Sequence, residues 1–130
     1  KAKELHSVDL NNEYIKERDE DLKSIANGIT GFKGNVNINL SKPVSFEDED
    51  DYQKVSNKIT HSIVSMYELH ATNFAACNLL GINIPEQSKY TVEEIKQAQT
   101  RLEDRLNGEE KGVCSKLLEQ YANPVLRKLK

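Results

Sequence analysis

Gly28, Gly31 and Gly34 fall three residues apart in the string Gly28-Ile29-Thr30-Gly31-Phe32-Lys33-Gly34, with a lysine among them. Glycine loops can turn backbone N–H groups toward a phosphate, and a lysine adds positive charge. That chemistry makes Gly31, Lys33 and Gly34 the candidates for contact with a substrate phosphate or with the carrier of a donor group. The same string also reads as a plain tight turn, which is the stronger reading. Glycine supplies positive φ at no steric cost and is a poor helix-interior residue. The string leads into a strand-like segment and not onto a helix N-terminus, so it lacks the dipole geometry of a P-loop.

Other chemistries find less support. His61 and His70 are nine residues apart, whereas a helical metal pair needs a spacing of three or four. Both read as surface or structural residues, and His6 carries little information. The run Glu47-Asp48-Glu49-Asp50-Asp51 lacks the calcium pattern of alternating acids, a glycine and a distal glutamate. It reads as a solvated helix start. Cys77 and Cys114 have no C-x-x-C spacing and no local histidine to make a thiolate, so they read as reduced core thiols. No serine sits in a G-x-S-x-G elbow. The expectation is no catalytic residue, no metal and no cofactor in this chain.

The bulk properties fit that picture. The chain has 130 residues, 37% of them hydrophobic and 30% charged, with a net charge of −3. The hydrophobic share lies below the roughly 45–50% of an average globular domain. A helical protein with wide solvated faces, or one whose surface meets another chain segment, has this composition. The negative balance argues against nucleic acid as a partner. Arg127-Lys128-Leu129-Lys130 is the one basic cluster, and it reads as a solvated tail rather than a lipid-headgroup patch. No stretch approaches the ~20 apolar residues of a membrane span, and no signal peptide opens the chain. A cytoplasmic setting is expected.

The elements that would position these residues are mostly helical. Residues 1–18 read as a first helix through Ala2, Leu5, Val8, Tyr14 and Ile15. Asp19-Glu20-Asp21 favours the start of a second, with Leu22, Ile25, Ala26 and Ile29 as its apolar stripe. After the glycine turn, Asn35-Val36-Asn37-Ile38-Asn39-Leu40 alternates strictly and predicts a strand closed by Pro43. The acidic run, capped by Ser45 or Asp48, opens a helix of about five turns through Tyr52, Val55, Ile59, Ile63, Met66, Tyr67 and His70. A break at Ala71-Thr72-Asn73 introduces a short helix, capped by Thr72 or Asn73 and ended by Gly81. Thr91-Val92-Glu93-Glu94 matches a capping box, and its helix runs to Asn107-Gly108. A last helix starts near Glu109 and is interrupted at Asn123-Pro124. One strand without a partner cannot satisfy its backbone groups. A second strand, another copy of the chain, or sequence outside it must supply the neighbour.

Residues 1–81 resemble a bacterial family of glycerolipid acyltransferases, relatives of the enzymes that acylate glycerol-3-phosphate or 1-acylglycerol-3-phosphate. The likeness rests on Lys1-Ala2-Lys3-Glu4-Leu5, on Glu20-Asp21-Leu22-Lys23-Ser24-Ile25 with the glycine string after it, and on Val36 through Pro43. Tyr67-Glu68-Leu69-His70-Ala71-Thr72-Asn73 adds to it. Ser41 stands where the family often has glycine, and Ala71 where proline is common. The resemblance implies an α/β parent that transfers a fatty acyl group from acyl-CoA or acyl-carrier protein to a glycerol-phosphate hydroxyl. It further implies a catalytic His-x-x-x-x-Asp pair and a Glu-Gly-Thr phosphate string. Both are absent here: the fifth residue after His6 is Asn11, after His61 it is Met66, and after His70 it is Ala75.

The expected fold is therefore mainly α with one short β-strand. Residues 1–81 would be the C-terminal part of an acyltransferase core, and residues 82–130 a helical extension. The chain alone would be inactive. Its partners would be the catalytic N-terminal half of the parent and, through it, acyl-CoA or acyl-carrier protein. The parent would be peripheral at the inner membrane. A homodimer through the 35–40 strand is a further expectation. The alternative is a free-standing helical interaction module. Such a module would lack an orphan strand and form a self-contained bundle, whereas an enzyme fragment would show a sheet edge and an exposed apolar face.

Overall fold

The computed structural model describes residues 1–31, 34–84 and 89–129. Among these, six helices follow in order: α1 (Ala2–Asn11), α2 (Glu20–Thr30), α3 (Tyr52–Ser65), α4 (Ala71–Leu79), α5 (Val92–Leu106) and α6 (Lys111–Lys128). The chain is mainly helical, as its periodicity implies.

Local chemistry sets most of the helix ends. At α5 the Glu94 N–H donates to Thr91 Oγ1 (3.3 Å) while Glu94 Oε2 accepts the Thr91 N–H (2.8 Å), so the capping box forms as its sequence requires. Gly108, at φ 81°, follows its end. Helix α4 closes through Gly81 at φ 69°, where the Ile82 N–H reaches Cys77 O (2.9 Å) and the Gly81 N–H reaches Asn78 O (3.0 Å). This pair of reversed bonds satisfies carbonyls that a helix end leaves open. Helix α3 is capped by Asp51, whose Oδ1 accepts the Lys54 N–H (2.7 Å), rather than by Ser45 or Asp48. Just before that cap the Asp50 carboxylate lies covered between Lys54 Nζ and Lys58 Nζ, each at 2.5 Å.

The core centres on α4, which packs against both α5 and α6. Small residues make the close approach possible: Ala75 and Ala76 on α4, Ala98 on α5 and Ala122 on α6 are all buried. Phe74, Cys77, Leu102, Leu118 and Val125 fill the space around them. Helices on both sides of position 81 thus share one core. Helix α1 lies on the far side of α6. Its Ala2 is buried, as is Val113 of α6, and the ion pairs Lys3–Glu109 (3.0 Å) and Asp9–Lys116 (2.6 Å) border the contact. The His6 ring occupies a notch that Gly112 leaves open, since a Cβ there would overlap the imidazole.

Several expectations need correction. Residues 35–40 form no strand, and among the described residues no strand occurs. Alternation is only half of what a strand needs; among the described residues no neighbouring strand takes its backbone bonds. A side-chain bond from Asn39 Nδ2 to Met66 O (2.8 Å) tethers the segment, while Val36, Ile38 and Leu40 are exposed. Helix α1 stops at Asn11 instead of continuing to Arg18, because Asn12 adopts φ 55° and its N–H folds back to Val8 O (2.8 Å). Helix α2 runs through Gly28 to Thr30, where the glycine spacing suggests a turn. Helix α3 ends at Ser65 rather than near His70.

The proline expectation also fails. Helix α6 continues unbroken through Pro124. Proline has no N–H for the carbonyl four residues back, which is that of Gln120. The next two carbonyls are engaged from α4: Asn73 Nδ2 donates to Tyr121 O (2.8 Å) and Cys77 Sγ lies 4.0 Å from Ala122 O. The buried neighbour braces the turn that the proline weakens.

Candidate functional site

Of the sequence candidates Gly31, Lys33 and Gly34, Gly31 caps the end of α2 and Gly34 is described just beyond it. Gly31 follows its last turn, and its N–H donates to Asn27 O (2.9 Å). A Cβ at Gly31 would come within 2.6 Å of that same oxygen, so a side chain there would force the backbone apart. Lys33 lies outside the described residues. Gly34 adopts φ 65°, a left-handed value that glycine takes without strain.

Gly34 and Asn35 border a hollow of about 570 Å³ between the N-terminus of α4 and one face of α5. His70, Ala71, Thr72 and Asn73 form one wall; Arg101, Leu102 and Arg105 form the other. Arg101 and Arg105 are one helical turn apart, so both project toward the same space. Arg105 Nη1 donates to the Tyr121 hydroxyl (3.0 Å), which fixes its direction. Among the described residues the single carboxylate in the lining is Glu94. Its Oε2 is already engaged by the Thr91 N–H and hydroxyl, and these bonds hold its pKa below the usual carboxylate range.

A second hollow, of about 680 Å³, lies between α1, α2 and the facing ends of α5 and α6. Its charges are mostly spent on one another: Lys1 on Glu4, Lys3 on Glu109 and Lys23 on Glu17. Tyr14 donates its hydroxyl to Glu20 Oε2 (2.7 Å), and that bond pushes the phenol up to about 12.

The histidines and cysteines are scattered. His61 is exposed on α3, His70 precedes α4, and His6 pairs with Glu110 (3.1 Å). Burial pushes the Cys77 thiol up and away from reactivity. The half-buried Cys114 lies 3.6 Å from Glu109 O. Among the described residues, no three His, Cys, Asp or Glu side chains gather as metal ligands. Nor, among them, is any helix long and apolar enough to cross a membrane.

The chain matches no family model, no curated protein and no solved structure. Function must be read from its own surfaces. Sequence reasoning named Gly34, which borders this hollow, but not Arg101 and Arg105. Their one legible signal was a pair of arginines at i and i+4, flanking Leu102 on the apolar side of α5.

Proposed function

We propose that this chain is the C-terminal part of a bacterial glycerolipid acyltransferase. The parent would transfer a fatty acyl group from acyl-CoA or acyl-carrier protein to a glycerol-phosphate hydroxyl. One observation carries the reading: residues 20–40 hold two apolar rows with the periodicity of buried elements, yet both face solvent. Leu22, Ile25 and Ile29 form the helical row, with Ile29 75% exposed. Val36, Ile38 and Leu40 form the alternating row, with Leu40 91% exposed. Rows of large apolar side chains left exposed in this way are what an absent partner normally covers.

In this reading the partner is the catalytic half of the parent, carrying a His-x-x-x-x-Asp pair. The histidine takes the acceptor hydroxyl proton and the aspartate orients it. Residues 35–40 become a strand of the α/β core once a neighbouring strand is there to receive their backbone bonds. The division near residue 81, between acyltransferase core and helical extension, is one of origin rather than packing, since α4 shares its core with α5 and α6. The parent works in the cytoplasm, peripheral to the inner membrane. The chain alone transfers nothing, and without its partner residues 35–40 can pair with a second copy across a two-fold axis. Ile38→Lys should then abolish dimerisation in sedimentation.

The test is hydrogen exchange on this chain, alone and co-expressed with the polypeptide encoded immediately upstream. Strong new protection at residues 35–40 and on the α2 stripe is the expected result. Unchanged, fast exchange there would remove the basis of the reading. A second reading, a free-standing helical interaction module, draws on the core that α4, α5 and α6 close by themselves. It expects residues 35–40 to stay unprotected with the upstream polypeptide present.

A further inference from the structure

We propose that the hollow between α4 and the Arg101/Arg105 face of α5 binds a phosphate monoester. The proposal does not rest on the acyltransferase reading. Hydrogen-bond donors from two helices, α5 and the start of α4, line it together. Among the described residues the Arg101 guanidinium has no hydrogen-bond or ion-pair partner. Arg105 is aimed by its bond to Tyr121 and keeps further N–H groups to give. On the opposite wall, the Ala71 and Thr72 N–H groups have no acceptor among the described residues; the next one, of Asn73, donates to His70 O (2.9 Å). Gly34 brings backbone without a side chain to the rim.

In a chain of net charge −3, two arginines and the open N-terminus of α4 face one hollow. The acceptor they fit is compact, carries about two charges and offers several oxygens. A guanidinium gives such a group two parallel bonds, which a lysine cannot. Glu94 opposes an anion, but it stands at the α5 cap with an oxygen already committed to Thr91. The apolar lining of Tyr90, Ala98 and Leu102 suits the organic part of an ester rather than free phosphate.

The experiment titrates the intact chain with inorganic phosphate against chloride at constant ionic strength, followed by amide and arginine side-chain NMR. Saturable shifts confined to Gly34, Ala71, Thr72 and the two arginines are expected. Arg101→Gln should weaken binding about tenfold, the worth of a charge-assisted pair. Lys96→Gln, on the same helix but outside the hollow, should leave it unchanged. Arg101→Lys should fall between, and because Arg101 is exposed all three variants should melt like the parent. Repeating the titration with glycerol 3-phosphate separates the sources. Tighter binding of the ester identifies an organic phosphate as the ligand, whereas equal affinity reduces the site to the phosphate group alone and overturns the ester. Shifts that never saturate, or an Arg101→Gln variant that binds like the parent, overturn the site altogether.

Discussion

Replacing Asn73 with alanine should destabilise the helical core far more than its single amide suggests. Asn73 is 8% exposed and makes two bonds in opposite directions. Its Oδ1 accepts the His70 N–H at 2.7 Å, closing the start of α4; its Nδ2 donates to Tyr121 O at 2.8 Å, beside the turn that Pro124 weakens. Losing a helix cap costs about 1 kcal/mol. Leaving the half-buried Tyr121 carbonyl short of this donor costs an amount in the lower part of the roughly 1–3 kcal/mol of a buried group. Together the loss should be about 2–3 kcal/mol, a large part of the ~5–15 kcal/mol that holds a typical domain. Urea unfolding followed by helical circular dichroism would measure it. Two further variants separate the two bonds. Asn73→Asp keeps the acceptor for His70 but loses the donor to α6, so it should be at least as damaging as alanine. Pro124→Ala returns an N–H to Gln120 O, so the loss from Asn73→Ala should shrink in that background. A loss below about 0.5 kcal/mol, or an aspartate as stable as wild type, would refute the bracing of α6 from α4.

Three other outcomes follow from the geometry. Lys54 and Lys58, with the Glu47 N–H, hold the Asp50 carboxyl well below the usual carboxylate range. A depressed folded pKa stabilises above the unfolded value of about 4 and is lost as pH falls through the folded value. The stability gap between wild type and Asp50→Asn should therefore be constant near neutrality and close as unfolding is measured from pH 5 down to pH 2; a gap independent of pH would contradict the lysine clamp. Tyr14, with its phenol pushed up to about 12, should give the last step of an ultraviolet tyrosine titration, and Tyr14→Phe or Glu20→Gln should remove that step. Gly112→Ala should lower stability by about 1 kcal/mol or more despite alanine's better helix propensity, because the new methyl displaces the His6 ring and loosens α1 from α6. His6→Ala should relieve most of that loss, a rescue visible by thermal melting.

What could be read in advance was local. The Thr91 capping box, the Gly81 stop and the apolar stripes of α2 and α5 are decided by neighbours within a turn or two, and the sequence states them directly. The features that could not be read depend on distant residues. Pro124 looks like a break until Asn73, at a separation of 48 residues, donates across to α6. The alternation at residues 35–40 is written in the sequence, but a strand's partner is not, and none occurs among the described residues. Gly34 was legible as a turn glycine near a candidate site. Arg101 and Arg105 look like ordinary solvated helix charges until the fold sets the start of α4 opposite them.

Expression of the complete reading frame that contains this chain, followed by assay of labelled acyl transfer from acyl-CoA and acyl-carrier protein, tests the proposed function most directly. Glycerol 3-phosphate and 1-acylglycerol 3-phosphate serve as acceptors. The expected result is transfer to one of them, abolished by changing the histidine of a His-x-x-x-x-Asp motif encoded upstream of Lys1. A reading frame without that motif, or one that transfers to neither acceptor from either donor, would contradict the acyltransferase origin of this chain.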